Sequence, residues 1–433
     1  MIRAFFLHLC IMTELFSLFY ESKGICTDTR NIISNSLFIA LKGKNFNGNI
    51  FAKNAIEQGA KFAIVDQKEF SDQSRIFYVP NTLKFLQELA KHHRSKFNIP
   101  VIGITGSNGK TSTKELIYSV LSKKFNTIAT KGNLNNHLGV PFTLLRIKKE
   151  HEIAIIEMGA NQPGDIDELC QIASPTHGII TNIGKAHLEG FGNLDGVIQT
   201  KKALYDSVKK VQGVLFYNSD DTLLQSLLNE KTQNISYGKG NGSISGKIIK
   251  LSPFLSVSWK SSTFNSGTIK TNMVGNYNLY NFLAAICIGN YFNIKGIHIS
   301  DAIAEYKPEN NRSQVLETKK NKLIIDCYNA NPTSMLLALE SFHAFQHQKK
   351  IAILGDMLEL GRDSEQEHQK ILDYCRDKKI KLITVGPIFK KLNINEAYES
   401  VEQVSSELIS MHAAVILLKG SRGIELEKLI TFL

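Results

Sequence analysis

The feature that most constrains the fold of this chain is a Gly-rich turn between an apolar strand and a helix. Residues 101–105 read VIGIT and predict a short buried strand, and a helix is predicted from Thr111 to Lys123. The turn between them and the first two helical residues, 106–112 together, read GSNGKTS. Backbone N–H groups and the helix dipole make such a turn an anion site, and Lys110 can reach β and γ phosphates. The sequence therefore predicts a nucleoside triphosphate site.

The turn is a variant of the usual phosphate loop. The strict pattern has Gly where this chain has Ile104, and an ordinary strand-to-helix turn is the competing interpretation. A Gly-Lys-Thr triplet at a helix start favours phosphate binding, with the Thr111 hydroxyl on Mg²⁺. The residues predicted to bind nucleotide here are Gly106, Ser107, Asn108, Gly109, Lys110, Thr111 and Ser112.

Apolar strands that alternate with helices indicate an α/β protein of three domains. The length, 433 residues, corresponds to about three domains at roughly 150 residues each. Continuous apolar strands predict a central parallel sheet covered on both faces, followed by antiparallel strands within 243–271. The expected parts are a small N-terminal α/β domain (1–98), a central P-loop ATPase domain (99–307) and a C-terminal Rossmann-like domain (308–433).

Composition excludes several classes of protein. The chain is 43% hydrophobic and 21% charged, as in globular proteins, and no run of about 18 uncharged apolar residues predicts a membrane span. The net charge of +11 suits an enzyme that handles phosphates. Without a basic stripe interleaved with aromatic residues it does not indicate nucleic-acid binding. Six cysteines without a CxxC pair predict reduced thiols and a cytoplasmic protein.

The first twelve residues read MIRAFFLHLCIM and mimic a short signal peptide. No small-residue cleavage site follows them, and an amphipathic helix is predicted from Thr13. We therefore expect Met12 to be the functional start, or residues 1–11 to be a loose extension.

Two further strand ends carry residues that could hold a metal. Glu157 ends the apolar strand that begins at Ile153, and a carboxylate at this edge of a parallel sheet faces the ligand crevice. It is a candidate Mg²⁺ ligand, with a cap or a salt bridge as the alternative. The segment 181–192 follows the next strand and contains His187, which could ligate a metal or only donate a hydrogen bond.

Several motifs together resemble the Mur ligase family, the ATP-dependent amide-forming enzymes of peptidoglycan precursor synthesis. They are the loop TGSNGKT, the strand ending in Glu157 and the segment NIGKAHLEGFG. Three more segments resemble the branch of the family that adds D-alanyl-D-alanine, namely KGNLNNHLGVP (131–141), DCYNANP (326–332) and GDMLELG (355–361). The resemblance begins near Thr27 and continues to the C-terminus.

This resemblance implies the reaction. A ligase of this branch joins D-alanyl-D-alanine to UDP-N-acetylmuramoyl-tripeptide through an acyl phosphate, and uses ATP and one or two Mg²⁺ ions. It would act on these small molecules in the cytoplasm. From the composition we expect no nucleic-acid partner and no stable membrane insertion. A monomer is expected, but the sequence leaves the oligomeric state open. The diamino acid at the third stem position stays open.

The resemblance also implies roles for residues of the first two domains. Thr29, Arg30 and Lys42 would bind the UDP part of the substrate, although Asn-Gly-Asn at 47–49 replaces the Asp-Gly-His common in relatives and leaves the uridine contact open. Asn135 and Asn136 would face the muramoyl peptide. Lys110, Lys201, Glu157 and His187 would form the catalytic group, and the metal ligands would be Thr111, Glu157, His187 and Lys201 as a carbamate.

The Lys201 role comes from the resemblance alone. Lys201 and Lys202 are adjacent on a predicted helix, and two adjacent lysines are typical of a solvated face. An amine repels Mg²⁺, whereas a lysine that has added CO₂ is a carboxylate and can bind the ion.

Residues of the adenine site and the last domain follow in the same way. The segment 275–281 resembles the family's GxHNxxN helix, with Tyr277 in place of His and with Asn278 and Asn281 on one face. Arg312 would contact phosphate. The other residues implied at the cleft are Asp326 and Tyr328 for the nucleotide and Asn329 and Asn331 for the substrate. The partners of Lys419, Ser421 and Arg422 stay open, and Lys419 and Arg422 could equally form a surface basic pair.

Four other functions compete with this one. The ligase that adds the third stem residue and folylpolyglutamate synthase are disfavoured by the GNLNN and YNANP segments. A nucleotide-binding scaffold without catalysis is disfavoured by the intact set of Lys110, Thr111, Glu157, His187 and Lys201. A P-loop transporter ATPase is disfavoured because this chain has no apolar strand ending in Asp at the usual distance after the phosphate loop.

Overall fold

The computed structural model describes residues 12–72, 74–185, 188–228, 230–240, 242–309, 311–392, 397–408 and 410–433. Within these residues, three β-sheets follow one another, with four, nine and six strands, and a separate two-stranded hairpin accompanies the first. The predicted α/β class with a central parallel sheet and two flanking α/β units is confirmed. Among the described residues, no helix is both long and apolar enough to cross a membrane.

The N-terminal unit is a parallel sheet in the strand order β1-β2-β5-β6. Its elements are α1 (12–20), β1 (Ile25–Cys26), β2 (Leu37–Ile39), β3 (Lys42–Gly43), β4 (Phe46–Asn47), α2 (Ala52–Glu57), β5 (Phe62–Val65), β6 (Ile76–Tyr78) and α3 (Thr82–Ser95), with 3₁₀ helices at Thr29–Asn31, Gly48–Phe51 and Lys68–Phe70. The β3–β4 hairpin follows β2 and pairs Lys42 with Asn47 and Gly43 with Phe46. Helix α3 begins at an Asn81 cap, whose side chain accepts a hydrogen bond from the backbone N–H of Lys84.

The central unit supplies the largest sheet. Its elements are β7 (Val101–Thr105), α4 (Lys110–Leu121), β8 (Thr127–Ala129), α5 (Gly139–Leu144), β9 (Ile153–Glu157), α6 (Asp165–Ala173), β10 (His177–Ile180), α7 (Leu188–Phe191), α8 (Leu194–Lys210), β11 (Val214–Asn218), α9 (Thr222–Ser226), β12 (Gln233–Gly238), β13 (Ile244–Lys250), β14 (Ser256–Lys260), β15 (Ile269–Lys270), α10 (Asn278–Tyr291) and α11 (Gly296–Glu305). The antiparallel pairs β13–β14 and β14–β15 lie at one edge, where the alternating sequence predicts them.

The order of the central strands fixes where a ligand can bind. Strand β7 lies between β10 and β9, and all three are parallel. The chain passes from β7 to β8 and β9 on one side and then to β10 on the other side, so the carboxyl end of β7 is a topological switch point. In this register Glu157 lies beside Ile104, and Ile180 lies beside Thr105. The ends of all three strands therefore meet at the phosphate loop.

The C-terminal unit is a six-stranded sheet in the order β16-β17-β21-β18-β19-β20. Its elements are β16 (Gln314–Glu317), β17 (Lys322–Ile325), α12 (Pro332–Ala344), β18 (Lys350–Gly355), α13 (Ser364–Asp377), β19 (Lys381–Val385), α14 (Pro387–Leu392), β20 (Ala397–Tyr398), α15 (Val401–Leu408) and β21 (Val415–Lys419), with 3₁₀ helices at Gly361–Asp363, Arg422–Ile424 and Leu426–Thr431. Strands β17, β21, β18 and β19 form the inner part of the expected Rossmann-like sheet, and β16 and β20 lie at its edges.

Contacts of α3 join the N-terminal unit to the central one. His93 Nε2 lies 2.9 Å from the carbonyl of Ile147, and the Arg94 guanidinium donates to the carbonyl of Ala173 at 3.1 Å. Apolar side chains of α3 belong to the same buried core as those of α5, α6 and α8. The opposite face of the central sheet packs on α4, α10 and α11. The domain boundaries at 98/99 and 307/308 stay predictions.

Candidate active site

The phosphate loop needs two glycines for its shape. Gly106 has φ +150° and Gly109 has φ +78°, both in a region that favours glycine. A Cβ at Gly106 would collide with the Thr181 hydroxyl, and one at Gly109 would lie 2.8 Å from Asn281 Oδ1. Helix α4 starts one residue earlier than predicted, at Lys110, so its free N–H groups face the loop.

Residues after β10 hold the loop in place. Asn182 Oδ1 accepts from the N–H of Asn108 at 3.0 Å, and its Nδ2 donates to the Asn108 carbonyl at 2.9 Å. The Thr181 hydroxyl donates to that carbonyl at 2.6 Å. Ser107 Oγ exchanges hydrogen bonds with the backbone of Gly184, at 3.0 and 2.9 Å. The first residues of the segment 181–192 therefore support the phosphate loop directly.

Lys110 turns back over the loop. Its ammonium donates to the carbonyls of Gly106 at 2.6 Å and Ser107 at 3.2 Å. Burial lowers the pKa of Lys110 to about 8, the charge of Glu157 partly opposes this, and the nearby cation Arg312 lowers the pKa further. The Lys110 ammonium therefore loses its proton more readily than a free lysine, and an anion that enters the loop would stabilise the charged form.

Glu157 is buried at the end of β9 and lies against the phosphate loop helix. Its Oε1 accepts from the Thr111 hydroxyl at 3.1 Å and from Asn135 Nδ2 at 2.8 Å. Its Oε2 is buried and has no hydrogen bond among the described residues. The Lys114 ammonium, which the sequence reasoning missed, lies 3.7 Å from this oxygen. A spare buried carboxylate oxygen beside a hydroxyl is a suitable donor set for a hard cation such as Mg²⁺.

The two adjacent lysines of α8 differ in their burial and in their partners. Lys202 pairs with Asp206 at 2.7 Å. Lys201 is 2% exposed and makes no hydrogen bond or ion pair with any described residue, so the solvated-face interpretation is wrong for Lys201. Burial lowers the pKa of Lys201 strongly, and the charge of Lys110 adds to the effect. His187, the other expected metal ligand, lies outside the described residues.

The start of α10 joins α4 to the C-terminal unit. Asn281 Oδ1 accepts from the Thr113 hydroxyl at 3.0 Å, and its Nδ2 donates to Asn278 Oδ1 at 2.7 Å. Asn278 Nδ2 donates to the Val274 carbonyl at 2.7 Å. The hydroxyls of Tyr277 and Ser313 are hydrogen-bonded at 3.0 Å. Both predicted adenine-contact asparagines line the cleft, but protein partners occupy much of their hydrogen-bonding capacity.

Residues of the C-terminal unit bring further cations to the cleft. The Arg312 guanidinium stacks 3.7 Å from the centre of the Tyr328 ring, and its buried Nε has no hydrogen bond among the described residues. Lys419 is 2% exposed and pairs with Asp326 at 2.7 Å, so the alternative of a surface basic pair is wrong for Lys419. The Arg422 guanidinium lies 5.5 Å from the same ring.

One cleft of about 700 Å³ collects most of these groups. It lies between the central and C-terminal units, and its walls include the phosphate loop, Glu157, Asn135 and Arg312. The other predicted residues that line it are Asn136, Asn278, Asn281, Asp326, Tyr328, Asn329, Asn331 and Lys419. Ser421 is buried instead, where its Oγ accepts from the N–H of Leu358 at 2.9 Å.

Comparisons with known proteins agree with this arrangement. Three family descriptions match successive parts of the chain: "Mur ligase family, catalytic domain" at 21–94, "Mur ligase middle domain" at 104–289 and "Mur ligase, glutamate ligase domain" at 311–422. A Bacillus subtilis (strain 168) protein, UDP-N-acetylmuramoyl-tripeptide–D-alanyl-D-alanine ligase, is 33% identical over 430 residues, covering 94% of this chain and 92% of the relative. The chain belongs to the Mur ligase family.

Solved structures of Mur ligases share the whole fold. MurF from Acinetobacter baumannii superimposes with a TM-score of 0.87 and 29% identity, and the match covers 97% of each chain. The MurF ligase of Thermotoga maritima, solved in complex with ADP, gives a TM-score of 0.85 with 27% identity, covering 95% of this chain and 97% of that one. The three-part fold expected from the sequence is therefore confirmed along its length.

The N-terminal residues expected to bind substrate lie apart from the cleft walls. Arg30 has a side chain that is 86% exposed and pairs with Asp28, and Thr29 begins the same 3₁₀ helix. Lys42 pairs with Asp66 at 2.8 Å. None of the three lines the cleft between the central and C-terminal units.

The Asn-Gly-Asn departure from the common Mur ligase pattern has a structural explanation. Asn49 Nδ2 donates to Asn47 Oδ1 at 2.7 Å and to Asp66 Oδ1 at 2.9 Å, while its Oδ1 accepts from the Asp66 N–H at 2.8 Å. An amide can donate and accept at once, so Asn49 fills both roles inside this network. The network fixes the hairpin that carries Lys42.

Proposed function

We propose that this chain is the ATP-dependent ligase that joins D-alanyl-D-alanine to UDP-N-acetylmuramoyl-tripeptide and so completes the pentapeptide precursor of peptidoglycan. One observation carries the proposal. Lys110, Glu157 and Arg312 face a single cleft in a chain that aligns over 94% of its length with a relative of that name.

The first chemical step needs positive charge around a phosphoryl group. A carboxylate is a poor acyl donor, so the terminal carboxylate of the tripeptide attacks the γ-phosphorus of ATP, and the β–γ bridging bond breaks to release ADP. Lys110 on the phosphate loop and Arg312 on the opposite wall supply fixed cations for the charge that develops. Backbone N–H groups at the start of α4 add to this field.

The second step forms the amide. The amine of the dipeptide attacks the acyl phosphate, loses a proton, and the tetrahedral intermediate collapses with departure of phosphate. An acyl phosphate is lost to hydrolysis if water reaches it, and the C-terminal unit closes one side of the cleft through contacts with the phosphate loop. Asn135, whose Nδ2 donates to Glu157, and Asn136, whose Oδ1 accepts from the Gly139 N–H, form the side of the cleft proposed for the muramoyl peptide.

The metal expected for this family fits the residues present. Thr111 and Glu157 would hold Mg²⁺, with His187 and carbamylated Lys201 as further expected ligands. When bound, Mg²⁺ neutralises phosphate charge. The fit rests on the buried Glu157 Oε2, which has no hydrogen bond among the described residues.

Carbamylation of Lys201 is part of the proposal. A neutral amine adds CO₂ to give a carbamate and releases one proton, so a lysine whose pKa is strongly lowered by burial is suited to this reaction. The carbamate of Lys201 would carry a negative charge close to Lys110 and could attract Mg²⁺. The unmodified Lys201 amine carries no negative charge and would not attract the ion.

The remaining parts of the proposal concern the substrate's other end and the cellular context. The N-terminal unit, with Thr29, Arg30 and Lys42, binds the UDP part. The reaction takes place in the cytoplasm, in keeping with five described cysteines that are free and buried. The enzyme acts as a monomer.

An acceptor screen tests this function. The full chain is incubated with ATP, Mg²⁺ and UDP-N-acetylmuramoyl-tripeptide, with D-alanyl-D-alanine, a free diamino acid or glutamate as acceptor. We expect phosphate release and a pentapeptide mass only with the dipeptide, and a loss of at least about hundredfold in Lys110→Ala. Turnover with a free amino acid instead would indicate another ligase of the family. Nucleotide binding without turnover would indicate a scaffold.

A further inference from the structure

Lys114 is a buried cation with an unusual set of partners. It lies one helical turn after Lys110 on α4 and is 2% exposed. Its ammonium donates to the Gly132 carbonyl at 3.4 Å and lies 3.7 Å from Glu157 Oε2, and no other hydrogen bond or ion pair joins it to a described residue. An ammonium has three N–H donors, so this one is poorly satisfied. A buried ammonium with so few hydrogen bonds destabilises the fold unless the charge of the adjacent carboxylate offsets the cost of its burial.

At 3.7 Å, Lys114 leaves Glu157 Oε2 without a hydrogen bond to any residue that the structure describes. Lys114 therefore balances the charge of the carboxylate and leaves its free oxygen unoccupied. The same ammonium reaches Gly132, which belongs to the segment 130–135 that folds over the end of β9. Thr130 Oγ1 accepts from the Glu157 N–H at 3.0 Å, and the Asn135 carbonyl accepts from the Gly159 N–H at 2.7 Å.

We propose that Lys114 is a positioning residue that fixes the Glu157 carboxylate by charge alone, and so moderates the affinity of the Glu157 oxygen for a divalent cation. The inference rests on the proposed role of Glu157 as a cation ligand. A fixed cation this close repels Mg²⁺ while it attracts the carboxylate and holds it in place. The site then binds the cation less tightly but with its ligand in a defined position.

Three substitutions separate charge from hydrogen bonding. Lys114→Met removes both, Lys114→Gln keeps a donor but removes the charge, and Lys114→Arg keeps the charge. Lys123→Met is the matched control, because Lys123 also forms an ion pair, with Glu305 at 2.6 Å, outside the cleft. All variants are compared by thermal melting before any other measurement.

The first measurement is ADP binding by calorimetry across a series of MgCl₂ concentrations, without turnover. The measured quantity is the Mg²⁺ concentration that gives half of the full change in ADP affinity. We expect this concentration to be about threefold to tenfold lower in Lys114→Met and Lys114→Gln, because the repulsion between Lys114 and Mg²⁺ is gone. Lys114→Arg and Lys123→Met keep the wild-type Mg²⁺ dependence. The second measurement is ligase turnover, where kcat falls by about tenfold or more in the two uncharged variants as the carboxylate loses its position.

The outcomes distinguish the inference from the function on which it rests. If ADP binding by the wild-type chain does not respond to Mg²⁺, or responds equally in Glu157→Gln, the cation role of Glu157 is wrong. If wild type responds and both uncharged variants need as much Mg²⁺ as wild type or more, the inference about Lys114 is overturned. Equal effects in Lys114→Gln and Lys114→Arg also overturn it, since only shape would then matter. If Lys114→Met does not fold, the comparison of Gln with Arg decides.

Discussion

The side-chain amides of Asn108 and Asn331 are hydrogen-bonded to each other across the cleft. Asn331 Nδ2 donates to Asn108 Oδ1 at 2.7 Å, and Asn108 Nδ2 lies 3.4 Å from Asn331 Oδ1. Asn331 also caps α12, because its Oδ1 accepts from the Ser334 N–H at 2.9 Å. One side chain thus starts a helix in the C-terminal unit and contacts the phosphate loop of the central unit.

Replacement of Asn331 by serine separates these two roles. Serine caps a helix about as well as asparagine but is too short to reach Asn108. We expect Asn331→Ser to keep its melting temperature and to lose about fivefold to thirtyfold in kcat/KM for ATP, the value of one or two lost hydrogen bonds. Asn331→Ala should show the same kinetic loss and also lose about 1 kcal/mol of unfolding free energy. Steady-state kinetics and urea unfolding measure the two effects.

X-ray scattering provides the conformational control. With ADP bound, wild type should have a smaller radius of gyration than Asn331→Ser, since the amide pair favours the closed cleft. Unchanged kinetics in Asn331→Ser would show that the contact does not contribute to catalysis.

The lowered pKa of Lys110 predicts that nucleotide binding takes up a proton. Below about pH 8 the free ammonium is charged, and above it the charge is lost. Phosphates favour the charged form, so ADP raises this pKa, and binding at pH 8 should take up about half a proton. ADP affinity should decline as pH rises beyond that value. Calorimetry in two buffers of different ionisation enthalpy measures the uptake.

Lys110→Arg is the control for this linkage. Arginine keeps its charge throughout this pH range, so the variant should show no proton uptake at pH 8. Equal uptake in both proteins would assign the proton to another group.

Local sequence predicted the parts of this fold that depend on local physics. The apolar strand, the two turn glycines and Lys110 lie within ten residues of one another, and they specify the phosphate loop by themselves. The position of Glu157 beside it followed from the rule that parallel strand ends meet at one edge.

Other features depend on contacts between residues that are far apart in the sequence, and no local pattern encodes such contacts. The partners Asn108 and Asn331 are 223 residues apart. Lys201 has the same local signature as Lys202, and only the packing of α8 against the central sheet buries it. Lys114 was within reach of sequence reasoning, because it lies four residues after Lys110 on the same helix face.

A buried histidine predicts how stability changes in acid. His177, on β10, packs within 5.5 Å of the rings of Tyr291 and Phe292, and burial lowers its pKa to about 4. In the unfolded chain His177 takes up a proton near pH 6.5, whereas in the folded protein it stays neutral until about pH 4. The neutral, buried histidine therefore contributes fully to the free energy of unfolding above pH 6.5, and this contribution is lost as pH falls towards 4. The loss should reach about 3 kcal/mol. Urea unfolding at several pH values measures it. His177→Phe should flatten the slope, and the exposed His298→Gln should not.

The neighbouring lysines of α8 provide the sharpest test of the proposed chemistry. Lys201 is buried without a described partner, whereas Lys202 is paired with Asp206, so only Lys201 should add CO₂. With ¹³C-labelled bicarbonate, we expect one carbamate signal in the NMR spectrum of wild type and of Lys202→Ala, and none in Lys201→Ala. Depletion of CO₂ should lower the ligase rate of wild type by about tenfold or more if the carbamate helps to neutralise phosphate charge. A full rate in Lys201→Ala would contradict this role, because the position would then contribute neither a carboxylate nor a cation to the reaction.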